Sequence, residues 1–155
     1  MAELLLGKGN PSGKLTDTFA ASLDDYPSTE NFHKSCDYVN YTEDIYVGYR
    51  YFETIPGAKE KVIYPFGYGL SYTDFRVHTD SVWETSKHIL AEVHVTNTGN
   101  MAGKEVVQLY FNGPQGLLGN PALRLAAFEK TPSASAWRNT GSLSVILKKC
   151  GHGFL

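Results

Sequence analysis

FRVHTDSVWETSKHILAEVHVTNTGN, residues 75–100, is the stretch that sets the fold. Phe75, Val77 and Thr79 alternate with polar residues. Ile89, Ala91, Val93 and Val95 do the same, with His88, Glu92, His94 and Thr96 at the opposite positions. Successive side chains of a strand point to opposite faces, so period two marks a strand with one buried face. Asn97-Thr98-Gly99-Asn100 is a cluster of turn formers. Val106 to Phe111 reads as the next strand and Ala122 to Phe128 as another; SLSVILK at 142–148, outside that pattern, alternates and is able to pair opportunistically. Short alternating strands between turns predict an antiparallel β-sandwich.

Upstream of Ser71 the pattern differs. Ala2 to Leu6 reads as the last turn of a helix, with Gly7 as its left-handed stop. A helix that short is marginal alone, so it is expected to be the end of a longer one. Asn10-Pro11-Ser12-Gly13 is a turn, and Leu15 to Ala20 fits a short strand. Residues 22–40, broken by Pro27, read as a long surface loop. Tyr41 to Phe52 reads as irregular extended chain, and residues 54–61 as a solvent loop around Pro56-Gly57. Val62-Ile63-Tyr64 is a strand stopped by Pro65.

Residues 41–75 hold seven of the ten tyrosines, together with Phe52, Phe66 and Phe75. Aromatic rings suit two tasks: joining domains, and lining a saccharide site where flat apolar faces stack. A boundary is expected near residue 70. The part before it carries six basic and ten acidic residues, the part after it eight and six.

A hydrophobic content of 42% and a charged content of 19% fit a globular class. Net charge is -2 and the basic residues are scattered, which gives no footprint for nucleic acid or an anionic membrane. No apolar run reaches the roughly 20 residues that span a bilayer. MAELLLGKGN lacks the basic start and apolar length of a signal peptide, so a cytoplasmic location is favoured. Cys36 and Cys150 show no metal-ligand spacing and read as unrelated thiols, and the five histidines form no ligand motif. No metal and no cofactor are expected.

Several local features carry chemistry in principle. Glu43-Asp44 is either a catalytic or sugar-binding pair, or a solvated turn or interface charge. Arg50, between Tyr49 and Tyr51, is a carboxylate clamp, a stacking partner for an aromatic ring, or a partner in an interdomain ion pair. Gly67-Tyr68-Gly69 lacks the third glycine of a dinucleotide loop and reads as a turn. Asn40-Tyr41-Thr42 fits a glycosylation sequon.

Three collinear blocks carry a resemblance. LLLGKGNPSGKLTDTFA (4–20), YTEDIYVGYRYFE (41–53) with VIYPFGYGLSYTDF (62–75), and VHVTNTGNMAGKEVVQLYFNGPQ (93–115) with LAAFEKT (125–131) are similar to C-terminal sequence of glycoside hydrolase family 3. This is the family of β-glucosidases and β-xylosidases. The resemblance implies a mainly β chain: an incomplete fibronectin type III-like antiparallel β-sandwich preceded by a remnant of an α/β sandwich domain. Residues 1–69 would be that remnant and the linking segment, and 70–155 the truncated fibronectin-like domain. Asp44 stands where the family usually has glycine. After Thr131 the resemblance stops, and residues 132–155 are expected to be out of frame.

Family members are retaining glycosidases with two carboxyl groups about 5 Å apart. The family's nucleophile lies in a separate barrel domain, and no carboxylate of this chain maps onto either role, so no catalytic residue is expected. The expectation is a non-catalytic, structural fragment of a β-glucosidase-like hydrolase that docks domains. Its partners would be the missing barrel domain and, in the parent enzyme, a β-glucoside or related saccharide. Tyr49, Arg50, Tyr51, Phe66, Tyr68 and Tyr72 are the expected interface residues. Tyr41, Glu43, Tyr64 and Tyr68 are candidate substrate contacts, with Tyr26 beside them. The alternative is a stand-alone carbohydrate-binding or interaction β-sandwich module.

Overall fold

The computed structural model describes residues 2–86, 88–115, 119–131 and, as backbone, 140–148. The chain divides into two compact units. The first takes residues 1–14, 69–110 and 125–155. The second takes 15–68 and 111–124.

The first unit is built on antiparallel sheets. β3 (Phe75–Glu84), β4 (His88–Asn97) and β7 (Thr140–Lys148) form one sheet in the order β3–β4–β7. β5 (Val106–Phe111) and β6 (Arg124–Lys130) form another. Alternation in β4 is realised from Ala91 onward: Ala91, Val93, Val95 and Asn97 are buried and the residues between them half-buried, whereas Ile89 is half-buried like its neighbours. Ala91, Val93 and Val95 form one core with Val107 of β5, and Phe75, Leu109 and Ala127 pack against it. The inner faces of the two sheets therefore supply a common core, as a β-sandwich requires. The out-of-frame reading of residues 132–155 concerns a tail that lies largely outside the described residues. Its described part, β7, pairs antiparallel with β4 from His88↔Lys148 to Thr96↔Thr140.

The N-terminal segment belongs to this unit. α1 (Ala2–Leu5) is one turn, closed by the Gly7 N–H donating to the Leu4 carbonyl at 3.0 Å. Asn10 follows, and its side chain bonds in three directions. Nδ2 donates to the Ala102 carbonyl at 3.0 Å, and Oδ1 accepts from Ser71 Oγ at 3.1 Å and the Tyr72 N–H at 2.9 Å. Lys14 Nζ reaches Glu105 at 2.6 Å, and Lys130 Nζ donates to the Ser12 carbonyl at 2.8 Å. Gly69 lies against the Gly13 backbone, where an added Cβ would collide with the Gly13 carbonyl oxygen. Only glycine allows that approach.

In the second unit, β1 (Phe19–Ala20) pairs antiparallel with β2 (Val62–Tyr64). The strand expected from Leu15 shrinks to two residues. Leu15 still joins the ladder's line: its N–H donates to the Tyr68 carbonyl at 2.7 Å, and its carbonyl accepts from the Gly67 N–H at 2.8 Å. The loop 22–40 contains a capped 3-10 turn at Leu23–Asp25.

One local expectation is corrected. Tyr49–Thr54 is not extended but a helix, α2. Its aromatic and β-branched residues have modest helix propensity, and burial overrides it. Gly48 turns the chain into the helix at φ 57, which a side chain would resist. Phe52 then inserts into the interior with 1% of its surface exposed. Burying a phenylalanine that fully contributes roughly 2–3 kcal/mol, more than one helical turn's propensity deficit.

Candidate functional site

Of the candidate residues in the second unit, Tyr49, Arg50, Tyr51, Tyr64, Phe66 and Tyr68 sit on α2, β2 and the turn after Pro65. Strand pairing puts Tyr64 opposite Phe19. The turn 65–68, closed by the Tyr68 N–H donating to the Pro65 carbonyl at 3.0 Å, folds Tyr68 back onto Tyr64. Their ring centroids are 4.9 Å apart with planes tilted by 37°. Phe19, Tyr64 and Tyr68 all remain exposed.

α2 supplies the second aromatic group. Tyr49 stacks on Phe66 with centroids 4.9 Å apart, and the Arg50 guanidinium lies 6.0 Å from the Tyr49 ring centroid. Tyr51 meets Phe52 edge-to-face at 5.2 Å, and Tyr26 meets Phe52 the same way at 5.5 Å. Tyr26 also works through its hydroxyl, which donates to the Thr18 carbonyl and accepts from the Ala20 N–H, each at 2.9 Å. It thereby fastens β1 to the 3-10 turn. This phenol is accounted for structurally.

Tyr41 and Glu43 sit on a separate turn. The Asp44 N–H donates to the Tyr41 carbonyl at 3.4 Å and the Tyr46 N–H to the Glu43 carbonyl at 2.8 Å. Tyr41 is 87% exposed. Asp44 adopts φ 49, the left-handed region where glycine is at home, so the side chain occupies a strained position. The structure brings Tyr64 and Tyr68 into ring contact; on the turn at 41–46, Tyr41 is exposed and Glu43 half-buried. Tyr72, in the other unit, is half exposed, and its N–H is taken by Asn10.

Charge in the second unit centres on Asp25 and Lys61. Their groups meet at 3.0 Å, beside the Ala21 N–H donating to the Lys61 carbonyl at 2.9 Å. The hydrogen bond from Lys61 holds the Asp25 carboxyl below its ordinary pKa, partial desolvation opposes it, and the Ser22 N–H adds to the lowering. The same bond raises Lys61.

Sequence reading missed the side-chain networks of the first unit. Thr73 Oγ1 donates to Asn97 Oδ1 at 2.6 Å, Asn97 Nδ2 donates to the Met101 carbonyl at 2.8 Å, and the Gly99 N–H donates to Asn97 Oδ1 at 3.1 Å. Thr73 and Asn97 are both buried. Asn-Pro and Asn-Thr-Gly mark turns, and the available signal was that asparagine in such turns bonds nearby backbone with its side chain.

Comparison with known proteins gives this arrangement a family. The model of the glycosyl hydrolase family 3 C-terminal domain matches residues 1–72. β-Glucosidase A of Butyrivibrio fibrisolvens is 61% identical over 145 residues, covering 84% of this chain and 18% of that protein. A β-glucosidase of Ruminococcus albus is 49% identical over 130 residues, covering 84% of this chain and 13% of its own length. Among solved structures, a β-glucosidase from Paenibacillus barengoltzii superposes with TM-score 0.86 at 49% identity, over 94% of this chain and 16% of that one. The Kluyveromyces marxianus β-glucosidase in complex with glucose gives 0.84 at 38% identity, over 95% and 17%. The chain belongs to glycoside hydrolase family 3 and corresponds to C-terminal sequence of that family. Its fold is the expected mainly β, fibronectin type III-like antiparallel sandwich. It spans less than a fifth of the length of the first curated relatives it matches.

Proposed function

We propose that this chain is a non-catalytic, structural part of a β-glucosidase-type hydrolase, serving to dock domains. The observation that carries the reading is its likeness to β-glucosidases over nearly its whole length and less than a fifth of theirs. The family's chemistry needs a nucleophile and an acid/base held together, and the resemblance carries neither role onto a carboxylate of this chain. The reaction of the whole enzyme, cleavage of O-glycosidic bonds in a β-glucoside, would belong to a barrel domain outside this sequence.

The tyrosine-rich surface supports the docking reading. Tyr49 and Phe66 stack on each other, with Arg50 beside them as a charged neighbour. Tyr51 is consumed by Phe52. Tyr64 and Tyr68 likewise stack mutually and keep one side exposed. Such rigid aromatic groups are typical anchors of an interface. Tyr68 and Tyr72 would share that role. Tyr41, Glu43, Tyr64 and Tyr68 would touch saccharide only with the barrel in place.

The test has two arms. Purified chain is assayed with an aryl β-glucoside, and no turnover is expected. It is then added to a related β-glucosidase truncated of the matching segment, where recovery of activity is expected. Turnover by the chain alone would overturn the non-catalytic reading, and failure to bind the truncated enzyme would overturn docking. Saccharide-dependent quenching of tyrosine fluorescence in the chain alone would favour the carbohydrate-binding alternative.

A further inference from the structure

β3 ends the order β3–β4–β7, so among the described residues it is paired on one side only. Its sequence, FRVHTDSVWE, suits a sheet, and Val77, Val82 and Trp83 stay exposed. A long edge of this kind is a template for another strand, and an identical edge is always at hand on a second copy of the chain.

The pairing with β4 breaks at one place. Thr79 faces Val93 and Ser81 faces Glu92, which makes Asp80 the extra residue of a β-bulge. A bulge bends the strand, strengthens its twist and disrupts the ladder, so a second straight strand no longer matches it. The extra residue is bonded on one side and faced by a second imidazole on the other. His94 Nδ1, on β4, hydrogen-bonds Asp80 Oδ2, and His78 Nε2, on β3, lies 3.7 Å from Asp80 Oδ1. His78 and His94 are themselves register partners, so one carboxylate lies beside two opposed imidazoles. Among the described residues no group of three His, Cys, Asp or Glu is placed to hold a metal ion, so the cluster is not a ligand set.

We infer that the His78–Asp80–His94 cluster pins the bulge and thereby keeps β3 from pairing with the β3 edge of a second copy. Without the pin the extra residue can be absorbed by a one-residue slip. A slip moves alternate side chains to the other face and straightens the edge.

The experiment is sedimentation velocity on the full chain over a concentration series. Asp80→Thr and His94→Thr each remove one end of the pin and add no exposed apolar surface of note. Arg76→Thr removes a charge from the same strand away from the bulge. The expected result is a concentration-dependent rise in weight-average sedimentation coefficient, above that of the unchanged chain, for the two pin variants and not for Arg76→Thr. A folded pin variant with the unchanged profile overturns the inference, and so does an equal rise for Arg76→Thr, which would assign the effect to charge. Loss of the fold in both pin variants, read by circular dichroism, overturns it too, because the cluster would then be a folding requirement.

Discussion

Asn97 is the residue whose replacement tests the architecture most directly. It ends β4 with 2% of its surface exposed and serves three partners at once. Asn97→Ala leaves the Thr73 hydroxyl, the Gly99 N–H and the Met101 carbonyl without that amide. A buried group left unsatisfied costs about 1–3 kcal/mol. The Thr73 hydroxyl is buried and bears the full cost, whereas Gly99 and Met101 are only half-buried and regain part of it from water. The expected loss is about 3 kcal/mol, or a fall in Tm of about 10 °C for a chain of this size. Thr73→Val removes one hydroxyl with little change of shape and should cost about 1 kcal/mol. Because the two residues share a bond, the double variant should cost less than the sum. Urea unfolding followed by tryptophan fluorescence gives all three values. Strict additivity, or a loss below about 0.5 kcal/mol for Asn97→Ala, the range of an ordinary surface change, would refute the account.

Three further outcomes are expected. Gly69→Ala drives a methyl group into the Gly13 carbonyl and should destabilise by about 1–3 kcal/mol in the same assay; an unchanged midpoint would show that the two segments can part freely. Asp44→Gly relieves a left-handed aspartate and should leave stability equal or higher, by up to about 1 kcal/mol; a clear loss would mean that the side chain has a stabilising partner. The Asp25–Lys61 pair acts at the pH extremes. The Asp25 pKa is lowered, so its contribution is full above the ordinary aspartate value near 4 and is lost as pH falls through the lowered one. The Lys61 pKa is raised, so its contribution is full below the ordinary lysine value near 10.4 and is lost as pH rises through the raised one. Lys61→Met should move the Asp25 carboxyl titration upward in NMR, and an unmoved titration would contradict the pairing.

Legibility from sequence followed the strength of the local pattern. β4 was readable because Ala91, Val93 and Val95 alternate with charged or polar residues and nothing competes with that period. β2 was readable because Pro65 stops it. α2 was not, since Tyr49 and Phe52 carry no helical preference of their own and become helical through the burial of Phe52. The joining of separate segments within each unit was also invisible, because it depends on distant residues such as Thr54, whose Oγ1 accepts from the Ala122 N–H at 2.9 Å inside the second unit. The aromatic residues themselves could be named from sequence. Their pairing could not, because Tyr64 meets Tyr68, and Tyr49 meets Phe66, only through the fold of a turn.

The alternation of the two units along the chain bears on what can be cut from it. One unit draws on three separate segments and the other on two. No single break, by protease or by cloning, releases either one whole. A nick in the loop at residues 22–40 would leave two pieces still joined by the β1–β2 pairing and by side chains such as Asn10 and Lys130. The sandwich is therefore not a portable cassette. A change in one segment of a unit falls on partners far away in the sequence, as a change at Asn10 falls on Ser71 and Ala102.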